Sequence, residues 1–227
     1  MKRMIRICCD YGHGGNDPGA VYKGRCEKDD VLKIGKSVAA ELRRHGVIVD
    51  ETRTEDITMS LKERSNFENK KKYDYFISFH RNASKPEKAE GVETFTYINQ
   101  TEKAKSLAEK MQRALVDVGF KDRGVKVANF HVLRETKAPA VLIEIGFIDN
   151  SKDNKLFDNS FKKIVKALSK AILAEVGIEY KEPNMSSASQ TLYRVMVGSY
   201  SKKENAERQV EKLKALGFDA VIMPYKS

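Results

Sequence analysis

No stretch of this 227-residue chain approaches the ~18 consecutive apolar residues of a membrane-crossing helix, so no membrane role is expected. The N-terminus, MKRMIRICC, begins basic, but the apolar run behind it is too short and too interrupted for a signal peptide. Synthesis and folding in a cytoplasm are therefore expected. Cysteine is scarce: there are three, and Cys8 and Cys9 are adjacent, which makes a poor disulfide framework and fits a reducing compartment. A glycine-rich stretch lies near the N-terminus, yet no Gly-Lys-Ser/Thr follows it and the G-x-G-x-x-G spacing is absent, which argues against a phosphate cradle. There is no compact H-E-x-x-H pair. No nucleic-acid motif occurs either, and the aromatic residues are scattered instead of forming a stacking platform, so nucleic acid is not the expected partner.

What is present is globular in composition, 41% apolar and 33% charged, and long enough for one full-sized domain and a small appendage. A formal charge of +10 and a pI near 9.3 suggest an anionic partner, either nucleic acid or an acidic polymer such as a bacterial wall. Charge alone does not choose between them.

The stretch ICCDYGHGGNDPGA, residues 7–20, organises the rest. An apolar strand runs into glycines that tolerate backbone angles bulkier residues resist, and His13 is held at the strand end, where open α/β sheets bind ligands. Taken alone, His13 reads more readily as a packing residue than as a ligand. Glu27 then opens a helix with Val31, Ile34, Val38 and Leu42 at helical spacing, ending at Gly46; an acid in a first turn also complements the helix dipole. Val47 to Val49 read as a strand and Leu61 to Lys72 as a weaker helix. The β-prone YDYFISFHRNAS delivers His80 and Asn82 at its far end. Gly91 to Ile98 alternates as another strand, and a helix follows with Ala104, Leu107, Met111 and Leu115 on one face. Residues 119–137 read as a basic, loop-like binding rim containing Arg123 and His131. After Pro139, AVLIEIGF is the most apolar run, and a carboxylate at its centre, Glu144, is expensive to bury unless paired or coordinated. A last helix spans roughly Phe161 to Val176. Alternating strands and helices predict an α/β domain: a mixed, mainly parallel central sheet flanked by helices.

His13, Glu27, His80 and Glu144 thus stand at comparable positions. Two imidazoles and a carboxylate make the ligand set of an open zinc site, with a coordination position left for water, and a fourth residue can act as base. The spacing by itself is a weak signal, because the ligands lie far apart in sequence.

The motifs DYGHGGNDPGA, EKD from Glu27, LKER, SFHRNA and PAVLIEIGFIDN resemble, in this order, the zinc-dependent N-acetylmuramoyl-L-alanine amidases of bacterial walls and phage endolysins, over about residues 1–177. The resemblance implies Zn²⁺ held by His13, Glu27 and His80, with Glu144 as the catalytic carboxylate. It further implies hydrolysis of the amide joining N-acetylmuramic acid to the L-alanine of the stem peptide in bacterial peptidoglycan. Asn82, Arg64 and Arg123 are candidate substrate-binding residues. Departures from the common pattern are Tyr11, where proline is usual, and Phe79, where isoleucine is frequent; His131 lies where an aromatic residue is common and is read as rim or packing. Without a signal peptide, the enzyme would reach the wall after release by a holin or lysis, as a phage endolysin or a bacterial autolysin. A zinc peptidase or deacetylase acting on another wall bond, or a non-catalytic wall binder, are the other readings.

Residues 178–190 have a linker composition. Residues 191–227 read as a β-α-β unit, with strands around Tyr193, Val195 and Val197 and again over FDAVIMPY. Its helix is expected to begin at a Ser201/Glu204 capping box. The unit resembles half of a SPOR peptidoglycan-binding module. Since it is below the size at which a core sustains itself, it is expected to make a homodimer that completes one four-stranded module and binds the wall, the alternative being that it docks on its own catalytic domain.

Overall fold

The computed structural model describes residues 4–183, 196–218 and 220–224. It divides into two units, Met1–Glu182 and Pro183–Ser227.

In the first unit the chain begins with β1 (Arg6–Tyr11), makes a small hairpin of β2 (Val21–Tyr22) and β3 (Arg25–Cys26), and enters α1 (Glu27–Arg44). Helix α1 forms where its sequence suits it at every level. Glu27, Asp29 and Asp30 occupy the first turn, Arg43 and Arg44 the last, and the stripe Val31, Ile34, Val38 and Leu42 is buried. Next come β4 (Ile48–Glu51), α2 (Leu61–Asn69), β5 (Tyr75–Asn82) and β6 (Val92–Thr96). The weakly amphipathic α2 is fixed at its start by a Ser60/Glu63 capping box. The unit is completed by α3 (Glu102–Val118), β7 (Asp122–Val127), α4 (His131–Arg134), β8 (Ala140–Phe147), α5 (Ser151–Asn159) and α6 (Phe161–Glu175).

Six strands form one sheet in the order β4-β1-β5-β8-β6-β7. All neighbours are parallel except β8 and β6, which run antiparallel. The mixed, mainly parallel sheet expected from the sequence is present. Strand alternation assigns the two faces. Ile7, Cys9, Ile77, Phe79, Val141, Ile143 and Ile145 face α1, α3 and α6 in a large apolar core. Each fully buried Leu, Ile or Val there contributes roughly 1.5–3 kcal/mol. Cys8, Phe76 and Leu142 face the opposite way, in a smaller cluster with Val132 and Leu133 of α4. Of the three cysteines, expected as small buried hydrophobes, Cys8 and Cys9 of the first strand are buried, whereas Cys26 is half-buried.

The stretch read as loop, 119–137, instead contains β7 and α4. Strand β7 is an edge strand paired only with β6, so its half-exposed polar residues carry no apolar pattern, and Lys and Arg there protect the edge. In the second unit, α7 (Lys203–Ala215) forms the expected helix. Lys202, not Ser201, is its N-cap, and no side chain caps it, so the Ser201/Glu204 box is not formed. The second expected strand is absent among described residues 218 and 220–224; of the first, Tyr193 and Val195 lie outside the described residues.

Candidate active site

The site lies at the C-terminal ends of β1 and β5, where the chain leaves the sheet. Gly12 donates its N–H to the Phe79 carbonyl (3.1 Å), which ties the first loop to the end of β5. Only glycine fits there: a Cβ would lie 2.1 Å from Cε1 of His80. His13 follows with φ 60°, in the left-handed region. Glu27, the first residue of α1, is 3% exposed and is aimed by two backbone donors, Ala20 N–H to Oε2 and Arg81 N–H to Oε1, each 3.0 Å.

These elements bring the three expected ligands together. His80 Nδ1 lies 2.9 Å from Glu27 Oε1, and His13 Nε2 lies 3.2 Å from Glu27 Oε2. One donor atom from each residue falls within 4.8 Å of the others, the one such group of His, Cys, Asp and Glu found among the described residues. Electrostatics follow from crowding two imidazoles on one buried carboxylate. Burial works against the charged form of His13, but hydrogen bonds and charge from Glu27 and Asp17 outweigh it and raise its pKa to about 9. Burial likewise opposes the Glu27 anion, and the two imidazoles overcome it and hold the carboxyl well below the usual range. His80 is raised for the same reason. A carboxylate that demands positive charge between two nitrogen donors suits a divalent cation, and the N, O, N donor set fits zinc.

Glu144 is in register with His80 across the β5–β8 ladder and projects onto the same face. Its Oε2 is buried with no hydrogen-bond partner among the described residues, and burial pushes the carboxyl up to about 7. An orphan carboxylate oxygen beside a candidate metal centre is the equipment of a general base. A cleft of about 530 Å³ opens over His13, His80 and Glu144, with Met59, Leu61, Phe130 and Leu142 as apolar walls.

The candidate substrate-binding residues fall in two places. Arg64 is 3% exposed beneath the first loop, with its donors on Asp10 and on loop carbonyls. Asn82 and Arg123 both bind Glu93: Asn82 Nδ2 at one oxygen, and Arg123 Nε at the other (3.0 Å), shared with Lys126. Glu93 is itself in register with Glu144 on the neighbouring strand β6, so this cluster continues the row His80–Glu144 across the sheet. His131 meets Ser65 Oγ through Nε2 (3.2 Å) at the cleft rim, in keeping with a rim residue.

Sequence reasoning missed Asp17, Asp10, Arg53 and Glu93. Asp17 holds His13 Nδ1 at 2.9 Å and caps the turn by accepting from Gly19 N–H. Asp10 accepts from Thr52, Arg64 and Ser78 in full burial. The signal that singled out Glu144, a carboxylate inside an apolar strand, was equally present at Asp10 in ICCDY.

Comparison with known proteins agrees with this geometry. Residues 7–174 match the N-acetylmuramoyl-L-alanine amidase family, and residues 168–226 match the SPOR domain. The sporulation-specific N-acetylmuramoyl-L-alanine amidase of Bacillus subtilis is 35% identical over 224 residues, covering 97% of this chain and 85% of that protein. An endolysin of Bacillus phage SPP1 is 41% identical over 163 residues, covering 69% of this chain and 59% of that protein. Among solved structures, the catalytic domain of the CwlV amidase from Bacillus (Paenibacillus) polymyxa var. colistinus superposes with a TM-score of 0.72 at 32% identity, covering 78% of this chain and all (100%) of that one. An N-acetylmuramoyl-L-alanine amidase from Clostridium difficile 630 gives 0.73 at 34% identity, covering 77% and 97%. With the six-stranded sheet agreeing with a match across most of its length, the chain belongs to the N-acetylmuramoyl-L-alanine amidase family and carries a C-terminal SPOR domain.

Proposed function

We propose that this chain is a peptidoglycan hydrolase that cleaves the amide between N-acetylmuramic acid and the L-alanine of the stem peptide, with zinc held by His13, Glu27 and His80. The observation that carries the reading is the convergence of these three donors beside the unpartnered oxygen of Glu144. Bound there, zinc would act as a Lewis acid on the scissile carbonyl and make water a stronger nucleophile at neutral pH. Glu144 takes the proton from the attacking water at its free oxygen. It then returns that proton to the amide nitrogen, which leaves poorly as an anion, so one carboxylate serves as base and then as acid. Glu27 keeps its place through the Ala20 and Arg81 N–H groups, and Asp17 fixes the tautomer and orientation of His13. Asn82 and Arg123, set on Glu93 next to Glu144, are the side chains for orienting the substrate. Leu61 and Phe130 give the cleft apolar walls against which the substrate can pack.

Mass spectrometry of digested peptidoglycan tests this. A new free L-alanine amine with intact muramic acid is expected, whereas cleavage within the stem peptide or release of acetate would indicate a peptidase or deacetylase. Metal analysis of active protein should return about one zinc per chain, and activity untouched by a chelator would overturn the metal assignment.

The C-terminal unit binds wall in this reading, and does so as a homodimer. Leu216, Phe218 and Val221 are exposed beside α7, which buries no residue of its own. A unit with so little core gains one by pairing with a second copy. Light scattering that finds only monomer at micromolar concentration would remove the dimer while leaving the amidase reading intact.

A further inference from the structure

Two buried arginines lie beneath the loop that carries His13. Arg53 follows β4 and is 2% exposed; its Nε donates to the Tyr11 carbonyl (2.9 Å) and its Nη2 to the Gly12 carbonyl (2.9 Å). The same Nη2 also donates to the Lys28 carbonyl of α1 (2.9 Å), and Nη1 to that of Glu55 (3.1 Å). Arg64, in the first turn of α2, donates through Nη1 to Tyr11 O and through Nη2 to His13 O, each 2.6 Å, while Nη1 also pairs with Asp10 at 2.8 Å. Three successive carbonyls, those of Tyr11, Gly12 and His13, are thus each held by a guanidinium.

They are held where the chain leaves the sheet and loses its ladder partners. There His13 adopts a left-handed conformation that non-glycine residues persist in only when their surroundings over-determine it. Among the described residues Arg53 hydrogen-bonds to backbone carbonyls alone, and Arg64 has a single carboxylate partner. A pair of cations over one buried anion is a costly way to fill space, since apolar side chains of similar volume often serve stability as well or better. What the guanidinium fork supplies and an apolar residue does not is a fixed set of donors aimed at specific carbonyls.

We propose that Arg53 and Arg64 are positioning residues, which lock the Tyr11–His13 peptide planes and so hold the His13 imidazole ready to bind metal. The proposal rests on the His13–Glu27–His80 metal reading above. It gives Arg64 a place behind a ligand rather than against substrate, and it adds Arg53 to the site.

The test is Zn²⁺ affinity of the full chain, measured by competition with a chromophoric chelator on protein shown to be folded by circular dichroism. Arg53→Met and Arg64→Met are each expected to weaken zinc binding about 10- to 100-fold, the usual effect of removing a group that orients a ligand. Arg53→Lys, which supplies a charge without the fork, should fall between. In a His13→Ala background, where the positioned ligand is gone, Arg53→Met should have no further effect. Leu107→Ala, in the core under α3, is the control: it should lower the melting temperature and leave zinc affinity unchanged. Should Arg64→Met fail to fold because Asp10 is left unpaired, the Asp10→Asn/Arg64→Met double variant, which removes both charges, replaces it. Folded arginine variants that bind zinc as the wild type does would overturn the positioning role alone. A wild-type chain that binds no zinc would overturn the metal reading and this proposal together.

Discussion

The two faces of the central sheet are made by the same strands and have opposite contents. Under α1, α3 and α6 the face is mostly hydrocarbon, from Ile7 and Ile77 to Ile143, with a buried polar contact where Thr94 of β6 meets Gln112 of α3. On the other side, under α2 and α4, the apolar cluster is small, and Asp10, Ser78, His80, Glu93 and Glu144 stand in the alternate positions of β1, β5, β6 and β8. Stability and chemistry are thus sorted residue by residue along each strand. One side chain consolidates the core and the next builds the site.

That separation can be broken or sharpened by substitution. Glu144→Gln should have the largest effect, lowering turnover roughly 10²- to 10⁴-fold while zinc content and melting temperature are retained. If it unfolds the protein instead, the two faces are not separable at β8. Asp10→Asn is next, because it leaves the Arg64 guanidinium buried without its carboxylate, a loss of about 3–5 kcal/mol in stability at neutral pH. Its pH dependence has a definite sign. Burial opposes the Asp10 anion, but Arg64, Thr52 and Ser78 outweigh it and depress the folded pKa. The stabilisation is therefore present above the unfolded value of about 3.9 and is lost as pH falls through the lower folded value. Denaturant titrations from neutral to acid pH should show wild type and Asp10→Asn converging in acid; a gap that widens there would contradict the assignment. Leu107→Ala, on the hydrocarbon face, should cost about 2–5 kcal/mol and leave the activity of the folded fraction unchanged. The smallest effect is expected from ending the chain at Glu182, the end of the first unit: cleavage of soluble muropeptides should persist while retention on whole walls weakens. Loss of soluble-substrate activity would mean that the second unit contributes to the first.

Much of this was legible in the sequence for physical reasons. Helices α1, α3 and α6 announce themselves because each buries one stripe against the sheet. His13, His80 and Glu144 were visible because polar residues at the end or middle of apolar strands require an explanation. Arg53 and Arg64 lie in polar surroundings, and nothing in the local pattern tells that the chain folds them under a loop so distant in sequence. Glu93 was hidden by its neighbours: its importance comes from register with Glu144, a relation between strands rather than a property of either. Strand β7 escaped because an edge strand with polar residues on both sides carries no alternation to read. In the C-terminal unit, FDAVIMPY alternates enough to read as a strand, yet the described residues 218 and 220–224 form none.

The alignment of β8 decides whether Glu144 joins the three candidate metal ligands. Glu144 sits opposite His80 on one neighbour and opposite Glu93 on the other, so a single strand fixes both pairings at once. Because side chains alternate, a slip of β8 by one residue would present Ile143 or Ile145 to the cleft and drive Glu144 into hydrocarbon. Such a slip would leave His13, Glu27 and His80, which come from the loop after β1, from α1 and from β5, still together, and would take only the glutamate away from them. An insertion or deletion between α4 and β8 that shifted the strand would therefore part metal binding from turnover, and would cost core packing as well.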